Sequence, residues 1–549
     1  MDTDHTYDVV VAGSGAAAFA AAITAADAGL TVLMCESTDR WGGSSSMSGG
    51  GLWLPNNPLM QREGAGDSRD EALAYMERTI GDAGPATSRA RKEAFVDHVA
   101  ALVQLLERHG LTFARGADYP DYYPELPGGK VGRVIEVEPF DVKRIGPWWA
   151  SSRGQDGVPA PVKTDDFWLL QRAWSTPGGM IRGAQVMGRV ATMLVRGRRL
   201  VGMGAALAAS LLEVAQRLGV ELWLSAPETE LVVEDGAVVG VRTQHEGREV
   251  GVRATRGVVL GSGGFDHNAE WRQRYHGIDG TGSSGSKGNL GTGIEVAMAA
   301  GAAVDLMDDA WWGASVPPVG PDGAAAFLVS ERSVPHSILV DAAGDRFANE
   351  SESYVDLGHH MREHAASVPG RYWMVTDVRH ALKYLRSYAL DPRLTKARTE
   401  AGIRHVAATL GELATKLGME PRRLEATVAR FNGFARTGID QDFGRGNSVY
   451  DRYYGDPLVR PNPNLGTLEK EPFTAIEILA GDLGTKGGVV TDEFARVLRE
   501  DGSVIAGLYA SGNCSASVMG RTYPGPGSTL GPAAVFGHIA GRHLLTREV

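Results

Sequence analysis

The stretch Asp8-Val-Val-Val-Ala-Gly-Ser-Gly-Ala-Ala-Ala18 constrains the fold of this chain more than any other. Its unbroken apolar run predicts a β-strand, Asp8 to Ala12, covered on both faces, as in a parallel sheet flanked by helices. The run ends in Gly-x-Gly-x-x-Ala, and small apolar residues from Phe19 to Ala28 predict the helix that follows. Gly13 permits the tight turn, Gly15 lets a pyrophosphate approach the backbone, and Ala18 lets the helix sit close to the strand. A second strand, Thr31 to Cys35, leads to Glu36, at the spacing where an acidic side chain meets a ribose hydroxyl. Together these elements predict a dinucleotide site in a Rossmann-like α/β domain, with contacts at Gly13, Ser14, Gly15, Ala16, Ala17, Glu36 and Ser37.

Charge and cysteine content narrow the partners. A net charge of -11 argues against nucleic acid, which calls for a basic field. Two cysteines, Cys35 and Cys514, in 549 residues exclude a disulfide framework and fit a reducing compartment. Acidic residues near Met1 stand where a secretion signal is basic, and no apolar run reaches the ~18 residues of a membrane span. A cytoplasmic location is therefore expected. The 72 glycines are about twice the usual share of roughly 7%, which suits a backbone that meets a large ligand at several points. One such point is Trp41-Gly42-Gly43-Ser44-Ser45, able to meet the same pyrophosphate from another side, which a nicotinamide dinucleotide would not need. No zinc spacing, Walker loop or Gly-x-Ser-x-Gly elbow occurs, and His359-His360 lack a second ligand pair, so no metal site is predicted.

Two distant segments favour a flavin. "GVVLGSGGF" (257 to 265) is a strand ending in glycines, and "DGSVIAGLYASGN" (501 to 513) is a turn, a strand and a further glycine. Both resemble flavin-binding segments of the fumarate reductase and succinate dehydrogenase flavoprotein superfamily. The resemblance implies FAD, with contacts extending to Gly42, Gly43, Ser44, Ser45, Ser48, Gly49, Gly50, Gly51, Leu231, Ser262, Gly263, Asn289, Gly512, Asn513, Gly527 and Leu530. Covalent members offer a histidine near the glycine cluster; "GGSSSMSGGGLW" has none, so noncovalent FAD is expected. Thr292 stands where the superfamily usually has aspartate.

Five further stretches, "YPDYYPELPGG" (119 to 129), "GDRFANESESYVD" (344 to 356), "YDRYYGDP" (450 to 457), "GDLGTKGGVVTD" (481 to 492) and "YPGPGSTLGPA" (523 to 533), resemble the 3-ketosteroid Δ1-dehydrogenases in order and content. That resemblance implies 1,2-desaturation of a 3-ketosteroid, with Tyr354 as the base and Tyr122 supporting it. Tyr523 and Gly527 would bind the C3 carbonyl, and Ser528 to Gly531 would open a helix facing the flavin. Without a second nucleotide-binding fingerprint, reoxidation by an external acceptor such as a quinone is expected rather than by NAD. The alternatives are a Δ4-(5α)-dehydrogenase, a dicarboxylate reductase of the fumarate reductase kind, and a noncatalytic flavoprotein subunit. The second lacks its expected His-Pro-Thr-Gly element here.

We expect residues 1–309 and 486–549 to form a discontinuous FAD domain, with 310–485 inserted as an α+β substrate cap. Asp235-Gly236 and Glu246-Gly247 predict hairpin turns, and Leu410 to Gly438 predicts two amphipathic helices meeting at Pro421. Residues 143–199 stand apart. Ten basic side chains against three acidic ones, interleaved with tryptophan and aliphatic residues, suit either a lipid headgroup surface or a partner.

Overall fold

The computed structural model describes residues 4–157, 160–320 and 323–546. Strand β1 (His5–Ala12) leads through the glycine turn into helix α1 (Ala16–Asp27) and then strand β2 (Val32–Cys35). The helix begins earlier than the apolar pattern suggested, because Ala16 to Ala18 carry no propensity penalty and Gly15, in extended backbone, serves as the N-cap. Val9, Val10 and Val11 have no exposed surface. They lie between parallel partners, with Val10 opposite Leu33 on one side and Val258 on the other. The sheet runs 496–498, 504–510, 248–260, β1, β2, 221–223. A branch of antiparallel strands, Glu228–Glu234 and Ala237–His245, joins it through Arg248–Leu260. Both predicted hairpin turns are present, with positive φ at Asp235-Gly236 (50°, 80°) and Glu246-Gly247 (49°, 75°).

The basic, aromatic segment divides in two. Its first part turns inward, where Trp149 is buried and the Trp148 carbonyl accepts from Trp41 Nε1 at 2.8 Å, bracing the glycine and serine loop. Its second part forms α2 (Thr164–Gln171) and α3 (Pro177–Val195). Trp174 is 72% exposed just before α3, and Met180, Ile181, Met187 and Leu194 are also exposed along it.

A second sheet, mostly antiparallel, orders its strands 326–327, 310–316, 473–485, 372–376, 337–340, with 404–407 also on 473–485. Helix α4 (Tyr354–Ser367) packs on it through buried Leu357 and Met361. The predicted helix pair is Leu410–Leu417 and Pro421–Thr437, with proline at the first position of the second helix, where its missing N–H costs nothing. The chain returns to the first sheet with α5 (Leu530–Thr546), which covers α1.

Candidate active site

One continuous cavity runs from the C-terminal end of β1 to the edge of the second sheet. Every predicted cofactor residue except Gly42 and Leu231 lines it. Gly42 sits one layer back, its N–H donating to Ser14 Oγ at 2.8 Å, and Leu231 is part of the apolar core. Leu231 lies on the strand Glu228–Glu234, and its side chain packs in the apolar core.

The polar end of the cavity is walled by backbone. Gly13 has φ +97°, and a Cβ there would lie 2.5 Å from the Gly261 carbonyl, so only glycine lets the ends of β1 and strand 248–260 meet. Ser45 Oγ accepts from Ala16 N–H at 3.0 Å at the start of α1, where unpaired amides favour phosphate. Glu36 accepts from Ser14 Oγ (2.5 Å), Thr38 N–H (3.0 Å) and Thr38 Oγ1 (2.8 Å). Ser44 Oγ accepts from Ser286 N–H (2.8 Å) and Asn289 Nδ2 (2.9 Å), which joins a second glycine loop to the first. A helix N-terminus, an acid at the end of β2 and a wall of bare backbone fit a flavin dinucleotide.

The other end is aromatic. Tyr122, Tyr354 and Tyr523 are all buried and mutually packed, with ring centroids 5.4 Å apart for Tyr122–Tyr354, 5.2 Å for Tyr122–Tyr523 and 4.9 Å for Tyr354–Tyr523. Three elements deliver them. Tyr122 lies on a loop clamped by buried Asp121, which accepts from Trp53 Nε1 and Arg133 Nη1, each at 2.8 Å. The Pro524 carbonyl accepts from Tyr122 N–H at 2.9 Å and Tyr75 hydroxyl at 2.6 Å, so the proline and glycine loop carrying Tyr523 is tied to the Tyr122 loop. Tyr354 is the first residue of α4, and the turn before it is held by the buried Arg346–Glu350 ion pair at 2.7 Å. Gly527 has φ +94°, and its bare Cα faces the Gly51 carbonyl. The helix after it begins at Leu530, two residues later than expected, because the proline and glycine run holds Gly525 to Thr529 in turns.

Burial raises all three phenols above their ordinary value near 10. For Tyr354 the proximity of Tyr523 adds to burial, and a hydrogen bond from Tyr122 works against it. For Tyr523 a hydrogen bond with Tyr354 and the amide of Gly527 oppose burial. The cavity therefore presents neutral phenols together with a backbone donor.

Several lining residues were not identified from the sequence. Tyr119 hydrogen-bonds Tyr454 and stacks on Tyr453 at 4.6 Å, and Phe327 meets Tyr354 edge-on at 5.2 Å. The motif Tyr450 to Tyr454 was a visible signal without a role attached, whereas Phe327 had no local signal. Phe167 and Trp168 of α2 also line the cavity, so part of the basic, aromatic segment belongs to the site. His359 and His360 lie on α4 beside carboxylates, Asp309 and Glu352, at 2.8 Å each. Among the described residues no cluster suited to a metal occurs.

Residues 8–530 match the model of the FAD binding domain family. The chain is 43% identical to the 3-oxosteroid 1-dehydrogenase of Mycolicibacterium smegmatis, over 98% of this chain and 97% of the relative. It is 42% identical to the enzyme of that name from Mycobacterium tuberculosis, over 99% of both. Among solved structures it is similar to 3-ketosteroid delta1-dehydrogenase from Sterolibacterium denitrificans, crystallised with 1,4-androstadiene-3,17-dione. The TM-score is 0.92 and the identity 36%, covering 98% of this chain and 99% of that one. With an FAD fold matched along almost its whole length and relatives this close, the chain belongs to the FAD-dependent 3-oxosteroid 1-dehydrogenases.

Proposed function

We propose that this protein desaturates the C1–C2 bond of 3-ketosteroids. The observation that carries the reading is the convergence of Tyr122, Tyr354, Tyr523 and the Gly527 amide at the aromatic end of the FAD cavity. Tyr523 O–H and Gly527 N–H donate to the C3 carbonyl, and each such donor contributes about 3 kcal/mol as enolate charge develops. Polarised in this way, the substrate gives its C2 proton to Tyr354, whose phenolate form is favoured by the hydrogen bond from Tyr122. Bound FAD supplies the acceptor for the C1 hydride. No histidine or cysteine is among the described residues lining the cavity, which supports noncovalent binding. Holoenzyme given a 4-ene-3-ketosteroid and a dye acceptor should bleach the dye and form a 1,4-diene. Without diene formation, the reading is wrong.

The same reading assigns residues 310–485 to a cap, which supplies Tyr354 and Phe327, while Tyr122 and Tyr523 come from the FAD domain. It also sets α3 against an anionic lipid surface. Support comes from the apolar row Met180, Ile181, Met187 and Leu194 and from exposed Arg196, Arg198 and Arg199 at its end. Two of the segment's other arginines, Arg182 and Arg189, are taken up by buried Asp166. An apolar steroid and a quinone-type acceptor would reach the cavity past Phe167 and Trp168. Among the described residues no helix is long and apolar enough to cross a membrane.

A further inference from the structure

Glu228 opens the strand Glu228–Glu234, is 1% exposed, and lines the cofactor cavity on the same side as Glu36. Neither of its carboxyl oxygens makes a hydrogen bond of good geometry among the described residues. It reaches the start of the helix Thr292–Ala299, where a Cβ added to Gly293 would lie 3.3 Å from Glu228 Oε1. The titratable groups facing it are Glu36 and Cys35 from β2 and Cys514 from the turn 512–514, none of them cationic. Arg242 on the neighbouring strand is engaged with Glu230 (3.2 Å) and Glu249 (3.4 Å), and Glu295 of the helix points to solvent. A buried carboxylate with no cation is costly, and the charge of nearby Glu36 would repel it as well. A carboxylic acid at that place is instead a free donor facing a ligand rich in acceptors.

We propose that Glu228 is a protonated carboxylic acid that donates a hydrogen bond to the dinucleotide on the Glu36 side of the cavity, so that bound FAD keeps one proton in the protein. Burial pushes this carboxyl up to about 7, the charge of Glu36 adding to it while its own amide and the Ser262 hydroxyl act the other way. The sign follows. Below about pH 7 the free site already holds the proton and affinity is level; above it, binding must take up a proton and affinity falls.

FAD released on dilution of the holoenzyme is read by its fluorescence at pH 6.5 and 8.5. The dissociation constant of the wild type should rise about 20- to 30-fold between them, following the loss of the protonated form of the free site. Glu228→Gln keeps a neutral donor and should show a level profile, with affinity at pH 6.5 near that of the wild type. A level wild-type profile, or the same rise in Glu228→Gln, overturns the proposal. Should that variant fail to fold, calorimetry of FAD binding to the deflavinated wild type in buffers of different ionisation enthalpy decides. Uptake approaching one proton per FAD at pH 8.5 and almost none at pH 6 is expected; equal uptake at both overturns the idea.

Discussion

At the scale of single residues, the proposed mechanism asks a weak base, Tyr354, to work beside two donors, Tyr523 and the Gly527 amide. Tyr354 is held above the usual phenol value by burial first, so its phenolate is scarce at neutral pH and grows about tenfold per pH unit as alkali is added. Tyr354→Phe keeps the ring that packs on Phe327 and Tyr523, so FAD content and steroid binding should persist while kcat falls about 10²- to 10⁴-fold. Dye reduction measured beside a steroid binding titration checks this. Tyr122→Phe removes the hydrogen bond that lowers the Tyr354 value, so the alkaline rise in kcat should move to higher pH. An unchanged pH profile would assign Tyr122 to packing alone. Tyr354 and Tyr523 stood out as candidates because their short motifs resemble those of the 3-ketosteroid Δ1-dehydrogenases. Glu228 did not, since one glutamate in a strand reads as solvent-facing until the fold encloses it.

Among the elements, the loop before α5 and the helix α3 behave differently. The loop is determined by contact: Gly527→Ala would place a methyl into the Gly51 carbonyl at a φ of +94°, so lowered FAD content after purification is expected. Helix α3 is determined by what it leaves uncovered. Replacing Met180, Ile181, Met187 and Leu194 by serine should reduce flotation with anionic vesicles by about tenfold or more, with kcat on a soluble steroid unchanged. Equal flotation would remove the membrane from the account. Deleting the whole segment would test nothing of the kind, because Trp148 and Arg153 brace the loop beside the cofactor through Trp41 and Thr38. Periodicity detected the helix pair at 410–437, yet it read the segment from 143 to 199 as one surface, since composition cannot say which arginines have buried partners.

Across the whole molecule, pH acts on opposing sets of buried groups. Burial lowers His276 to about 4 and His380 and His538 to about 3, so their share of stability is full above about pH 6.5 and is lost as pH falls. Burial raises Asp121 and Asp165 to about 6 and Glu136 to about 7, while bound FAD would keep Glu228 protonated, and their share grows as pH falls through that range. The two sets offset each other, so the melting temperature of the holoenzyme should change by about 3 °C or less between pH 7 and 5. A steep fall should follow below about pH 4, where the carboxylates that pair with cations, such as Asp309 beside Lys486 and His359, take up protons. A steady decline from pH 7 would mean the histidines dominate.

By itself the sequence determined the dinucleotide fold, because strand, glycine turn and helix are contiguous and their patterns depend only on local backbone geometry and on burial of a short segment. The tyrosine candidates came instead from the resemblance of their short motifs to the 3-ketosteroid Δ1-dehydrogenases. Only the tertiary structure decided that Tyr122, Tyr354 and Tyr523 share one end of one cavity, and that Gly42 and Leu231 stand outside it. It also decided that Glu228 is enclosed there. Those facts rest on contacts between segments as far as 449 residues apart, such as the Pro524 carbonyl held by Tyr75 and Tyr122, and no spacing along a chain encodes such a distance.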